Sequence, residues 1–262
     1  MFRVRPIFLI AGTTINGVLR GVVLNVLLVL AALMIIGATS TSSLEPGAVR
    51  RTIVDAGLAI IAILGAMIAI LTGFTMIPSE VDQRTVYPVL SKPVRRWQFV
   101  LGKFFGAIGI NGITVGMLSV LFFLVYYLKV HSFDWRLLFG VVMIYAQLVI
   151  LSGLIVFFST FMSWIGTIIV SMVIWFIGNS SQYLANMASH GENSPISAAI
   201  TQVVQKLIPN FQAMDLRYAI VQLGVSTPAE LFQASLLPLG VGILYLIIAL
   251  ALAVLIFNYR EL

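Results

Sequence analysis

LLFGVVMIYAQLVILSGLIVFFSTFMSWIGTIIVSMVIWFIGNS, residues 137–180, carries no charged side chain. The uncharged run continues to Glu192, so 55 residues (137–191, with His190 neutral) separate Arg136 from the next charge. A helix crosses a bilayer with about 20 predominantly apolar residues, so this gap is long enough for two crossings. Its natural break is the polar patch Ser159-Thr160 and Ser163-Trp164. Charges inside a bilayer are costly, so the other charge-free gaps mark the other crossings. They are 21–44 (24 residues), 56–79 (24), 104–128 (25) and 231–259 (29). Six crossings are expected, over about 22–38, 53–77, 104–128, 137–158, 164–184 and 236–258. An even number puts both termini on one side.

Composition points the same way. Of 262 residues, 60% are hydrophobic and 9% charged, and mean hydropathy is +1.08. An ordinary soluble domain carries roughly 25% charged residues, so a water-facing surface cannot be covered. Disorder needs low hydrophobicity and high charge, which is the opposite case. Strands of a membrane β-barrel alternate apolar and polar residues, whereas these runs are unbroken. The expected fold class is therefore an all-α polytopic membrane protein, with residues 1–262 as a single transmembrane domain. Cysteine is absent, which excludes disulfides and thiolate metal sites. Neither His131 nor His190 has a second good ligand at helical spacing, so no metal site is expected.

Basic residues in short flanks set orientation. With cytoplasmic termini, the inside carries nine basic residues (Arg3, Arg5, Arg20, Arg84, Lys92, Arg95, Arg96, Lys103 and Arg260) against three acids. The outside carries six of each, so the formal net charge of +6 falls entirely on the inner face. The pI of about 9.8 is thus a topology signal, and no nucleic-acid partner is expected. Arg20 interrupts the pattern of a cleavable leader, so an uncleaved first helix is expected.

Three segments lie outside the crossings. In 5–20, Phe8, Ala11, Ile15, Leu19 and Val22 recur at helical spacing, opposite Thr13, Asn16, Gly17 and Arg20. That pattern suits an amphipathic helix in the membrane interface; the plainer alternative is an N-terminal extension of the first crossing. The extracytoplasmic segment 185–235 is long for a connection without structure of its own. Short helices on the outer surface are expected there, with dipping into the bundle as a variant. The cytoplasmic loop 78–98 opens with Pro78, Glu80 and Asp82, which suit the first turn of a helix. Glu80 precedes Arg84 in the favourable i,i+4 order, and Pro88 then keeps the helix short. Trp97 and Phe99 return the chain to the interface, and Lys103 anchors the next crossing.

Most polar residues have a bland reading. Glu80, Arg84 and Arg96 suit a solvated loop obeying the positive-inside rule, and Arg95 and Lys103 suit headgroup anchors. Arg50, Arg51 and Asp55 suit an ion pair at a membrane edge. Asn111, Thr114, Gln147, Ser152 and Ser171 suit helix–helix contacts. Gly106, Gly109, Gly112 and Gly116 form a stripe for close helix packing, with a dimer interface as one use. Phe122, Phe123, Phe157, Phe158, Phe161 and Trp175 suit lipid-facing positions, or the lining of a lipid-like substrate path. No crossing contains a histidine, and none contains an acid beyond Asp55 at the edge of 53–77, which disfavours an intramembrane protease and a proton-coupled transporter.

The loop residues Glu80, Thr85, Val89-Leu90, Pro93, Arg96, Trp97 and Gly102-Lys103 stand in a recognisable order and spacing. The pattern resembles the signature of ABC-2 type transporter permeases, the six-helix membrane subunits of ABC exporters. Arg84 stands where that family usually has Gly, and Pro88 interrupts its Leu-rich stretch. The C-terminal stretch Phe257–Leu262 and the segment Ile208–Arg217 are similar more weakly. The resemblance implies a bacterial inner-membrane protein that pairs with a second permease copy or a paralogue among membrane lipid. It implies that 78–98 docks a separate ABC ATPase subunit, with Glu80, Arg84, Thr85, Pro93, Arg96, Trp97, Gly102 and Lys103 as the coupling residues. ATP and Mg would be bound by that partner, with no catalytic, cofactor or metal site on this chain. Consistently, the sequence has no G-x-x-x-x-G-K-[ST] motif. The alternative function is an energy-independent channel or a structural subunit of a membrane complex.

Overall fold

The computed structural model describes residues 5–19, 26, 29–30, 33–34, 37, 46–76, 96–181, 208–217, 220 and 228–259. Its elements are α1 (Arg5–Leu19), α2 (Pro46–Met76), α3 (Arg96–Val130), α4 (Arg136–Ser159), α5 (Trp164–Asn179), a 3₁₀ turn (Gln212–Met214) and α6 (Pro228–Tyr259). Among the described residues there is no strand. Four helices are long and apolar enough to cross a membrane: the stretch Arg50–Gly73 of α2, then α3, α4, and Glu230–Tyr259 of α6. The 16 residues of α5 rise only about 24 Å, short of a hydrocarbon core of about 30 Å. Of the expected crossing 22–38, only Val26, Val29, Leu30, Leu33, Met34 and Gly37 are described; they are helical and exposed, and the rest lies outside the described residues.

The helices outrun the charge-free gaps because helix hydrogen bonding does not stop at a charge. Arg50, Arg51 and Asp55 ride on α2, Arg96 and Lys103 on α3, and Glu230 on α6. Pro46 and Pro228 begin their helices, where a missing N–H costs nothing. Ser163 caps α5 by accepting the Gly166 N–H. Beyond the end of α3, His131 takes a left-handed φ of 53°, and its N–H donates to the Tyr127 carbonyl at 2.9 Å. That is a common helix stop, usually filled by glycine.

Successive helices α2 to α6 alternate in direction. The start of α2 meets the end of α3 through Arg50 and Tyr126, and the start of α3 meets the end of α6 through Arg96 and Asn258. One end of the bundle is thus marked by Asp134 and the other by Arg96. The core runs along α2, α3 and α4, where Leu58, Ile61, Ile110, Leu118, Phe122 and Leu151 are fully buried. Glycine permits the closest approaches: a Cβ at Gly65 would stand 2.6 Å from Leu148 Cδ1. By contrast α6 buries a narrow line, Ala249, Ala253 and Phe257, at i,i+4 spacing. Leu237, Leu244, Ile247 and Leu255 face outward from it, as suits a helix surrounded by lipid or by protein of equal polarity.

Two segments outside the expected crossings find neighbours in the bundle. Over its length α1 follows α3 turn by turn in the same direction. Ile7 and Ile10 lie against Gly102, Ala11 and Thr14 against Gly106, and Ile15 against Gly109. Phe8 and Leu9, each 70% exposed, point away from that seat. The hydrophobic spacing of α1 therefore serves a protein contact on one side and an apolar surround on the other. The other is 185–235, described at 208–217, 220 and 228–235: Phe211, Met214, Leu216 and Ile220 are buried, and 228–235 open α6. Residues 182–207, 218–219 and 221–227 lie outside the described residues.

Candidate functional site

The loop that carries the sequence signature ends on a helix. Arg96, Trp97 and Gln98 already belong to the first turn of α3, so the expected loop boundary at 98 falls inside that helix. Glu80, Arg84, Thr85 and Pro93 lie outside the described residues. The other four signature residues are placed within two turns of α3.

Arg96 points across the bundle to the end of α6. Its Nη1 donates to the carbonyl oxygens of Phe257 at 3.2 Å and Asn258 at 3.0 Å. The last carbonyls of a helix have no donor within the helix, and they form the negative end of its dipole. A guanidinium satisfies both needs. One turn further, Phe99 stacks on Phe257 with ring centroids 5.6 Å apart and planes 15° from parallel. Both rings are buried. Lys103 Nζ lies 5.6 Å from the Phe99 ring centre, and the residue is only 5% exposed. Lys103 is thus folded into the protein, not displayed along its length as a headgroup anchor. Trp97 is half-buried. Gly102 meets α1: a Cβ there would stand 2.9 Å from Ile10 Cβ and 3.3 Å from the Ile7 carbonyl. At Gly106 the same atom would stand 2.9 Å from Thr14 Cβ, and at Gly109 it would stand 2.6 Å from Ile15 Cδ1. Of the stripe expected to pack helices, Gly106 and Gly109 do so against α1, and a Cβ at Gly112 would stand 3.4 Å from Tyr145 Oη on α4. Gly116, at its far end, faces open space.

Inside the bundle Asn111 and Gln147 reach beyond their own helices, whereas Ser119 and Ser159 bond within theirs, and the Thr114 and Ser171 hydroxyls have no hydrogen-bond partner among the described residues. Asn111 Nδ2 donates to Ser152 Oγ at 2.7 Å, and Ser152 donates in turn to the Leu148 carbonyl at 2.7 Å. Gln147 Nε2 donates to the Phe211 carbonyl at 2.6 Å. That bond gives a partner to irregular backbone packed inside the bundle. The same segment fits against α5, where a Cβ at Gly178 would stand 2.9 Å from the Pro209 carbonyl. Met214 reaches α6 at Gly242.

At the opposite end, Asp134 gathers two arginines. Its Oδ2 accepts from Arg50 Nη2 at 2.6 Å, and its Oδ1 accepts from Arg136 Nε at 3.0 Å and Arg136 N at 3.1 Å. Arg50 Nε also donates to Tyr126 Oη at 3.4 Å. The ion pair expected among Arg50, Arg51 and Asp55 is thus made instead between Arg50 and an acid 84 residues away. Sequence spacing carried no signal of that partner. Asp215 pairs with Arg217.

The described helices thus form an integral membrane bundle, with the four described signature residues at one end. No curated protein matches the sequence. The sequence profile of one family, described as ABC-2 family transporter protein, matches residues 7–262. Long apolar helices, a signature loop entering α3 and a match over nearly the whole length agree, and the chain belongs to the ABC-2 family of transporter permeases.

Proposed function

We propose that this chain is the permease half of an ATP-driven exporter, paired with a second copy or a paralogue. Six helices cross a bacterial inner membrane, and both termini lie in the cytoplasm. A separate ABC ATPase binds ATP and Mg, grips the loop between α2 and α3, and moves the helices. The observation that supports this reading best is the wiring of the loop's exit. Arg96 reaches the end of α6, and Gly102 and Gly106 seat α1, so the loop enters the bundle through turns of α3 that contact both of those helices. The sequence has no phosphate-binding loop of its own, so the energy comes from a partner.

The experiment is affinity purification of the tagged chain from solubilised membranes, followed by an ATP hydrolysis assay. An Mg-dependent ATPase is expected to co-elute. Replacing Glu80 and Arg84 together by alanine is expected to weaken its retention by about tenfold, the effect of losing roughly 1.4 kcal/mol at an interface. Retention unchanged by that replacement overturns the docking role. A chain that elutes alone and passes solutes in liposomes without ATP overturns the transporter reading in favour of a channel.

A further inference from the structure

We propose that Arg96 and Phe99 form a joint that carries movement of the coupling loop into α6. The inference rests on the coupling role proposed above for residues 78–98 and adds a route. Three features make the joint more than an ordinary helix stop. First, it is double: a charge-assisted hydrogen bond to two carbonyls, and one turn later a ring stacked on the side chain of the same Phe257. A guanidinium presents its donors in a rigid planar fork, and buried stacked rings resist sliding, so the pair fixes both position and rotation. Second, it is not imposed by chain connectivity, because Arg96 and its acceptors lie 161 and 162 residues apart. Third, it sits where the loop ends: Arg96 is the first residue of α3.

One and two turns beyond Phe99 along α3, α1 packs against Gly102 and Gly106. A displacement of the loop's exit therefore cannot be absorbed by a free helix end. Either α6 moves with α3, or the bonds to Phe257 and Asn258 break. Arg96 is thus a positioning residue of the drive, not a contact for the ATPase.

The test uses the assembled transporter with its ATPase bound. The chain lacks cysteine, so a single introduced thiol can be labelled without a background. Bimane on Ser91→Cys reports the loop, and bimane on Tyr259→Cys, at an exposed position, reports the end of α6. Both labels are expected to change emission when ATP and vanadate trap the closed ATPases. In Arg96→Gln the loop response is expected to persist while the α6 response falls by about fivefold or more, the lower end of ordinary coupling between sites. Arg96→Lys is expected to restore most of it, because an ammonium can still donate to both carbonyls. Phe99→Leu, which keeps the bulk and the hydrogen bonds, is expected to give an intermediate loss and guards against misfolding of the charge variant. An α6 response that survives both Arg96→Gln and Phe99→Leu, with the loop responding, overturns the joint alone. A loop label that stays silent in the unaltered complex overturns the coupling role, and the joint falls with it.

Discussion

At Asp134 one carboxylate joins the start of α2 to the start of α4, and Arg50 extends the link to Tyr126 of α3. Burial pushes this carboxyl up. The backbone and side-chain N–H groups of Arg136, together with the Arg50 guanidinium, outweigh that and hold it below the ordinary 3.8. A depressed acid contributes stability above its unfolded-state value and loses it as pH falls through the folded value. Asp134→Asn is therefore expected to lower stability at pH 7 by about 1 kcal/mol, a modest figure because Arg50 is 45% exposed and screened. Thermal unfolding in detergent, read by tryptophan fluorescence, should show the two proteins converging below about pH 4. A gap that widens in acid contradicts this. At the other side of the same turn, His131→Gly relieves a left-handed φ and is expected to raise stability by up to about 1 kcal/mol. Neither effect was legible beforehand: Asp134 and His131 read only as residues of a short outer loop, since neither backbone angle nor distant partner leaves a trace in local spacing.

Among the elements, α1 depends on the glycines beneath it. Gly106→Leu is expected to cost about 1–3 kcal/mol by overpacking against Thr14 and Ala11. Gly116→Leu, three turns on and facing open space, is expected to change nothing in the same unfolding assay. Equal losses from both would mean that α1 is not the partner. Gln147→Leu removes the donor to the Phe211 carbonyl and is expected to destabilise by about 1–2 kcal/mol, with faster proteolysis within 208–217 as the second readout. The glycine stripe announced close packing, because glycine every third or fourth residue of a helix has little other use. It could not name the neighbour, which at Gly106 and Gly109 is α1 of the same chain.

For the molecule as a whole, charge was the most legible quantity. The gaps 104–128 and 231–259 lie within α3 and α6, and the gaps 56–79 and 137–191 cover most of α2 and α4; α3 carries charges at both ends, and α2, α4 and α6 carry them near their starts. The proposed orientation is testable with the same quantity. A membrane-impermeant maleimide is expected to label Ser132→Cys in intact cells and Ser91→Cys only after lysis; the reverse pattern would invert the bundle. What charge could not reveal is which ends touch. Arg50 finds Asp134 and Arg96 finds Phe257 across the folded bundle, and such pairings emerge only from three-dimensional packing.

The bond from Arg96 to the last turn of α6 also sets an order on biogenesis. The ribosome makes Arg96 long before it makes Phe257 and Asn258, so the earlier helices enter the membrane while both acceptor carbonyls are still missing. The clasp closes only once residues 257 and 258 have emerged. A nascent chain arrested short of residue 257 would hold the same helices unlatched.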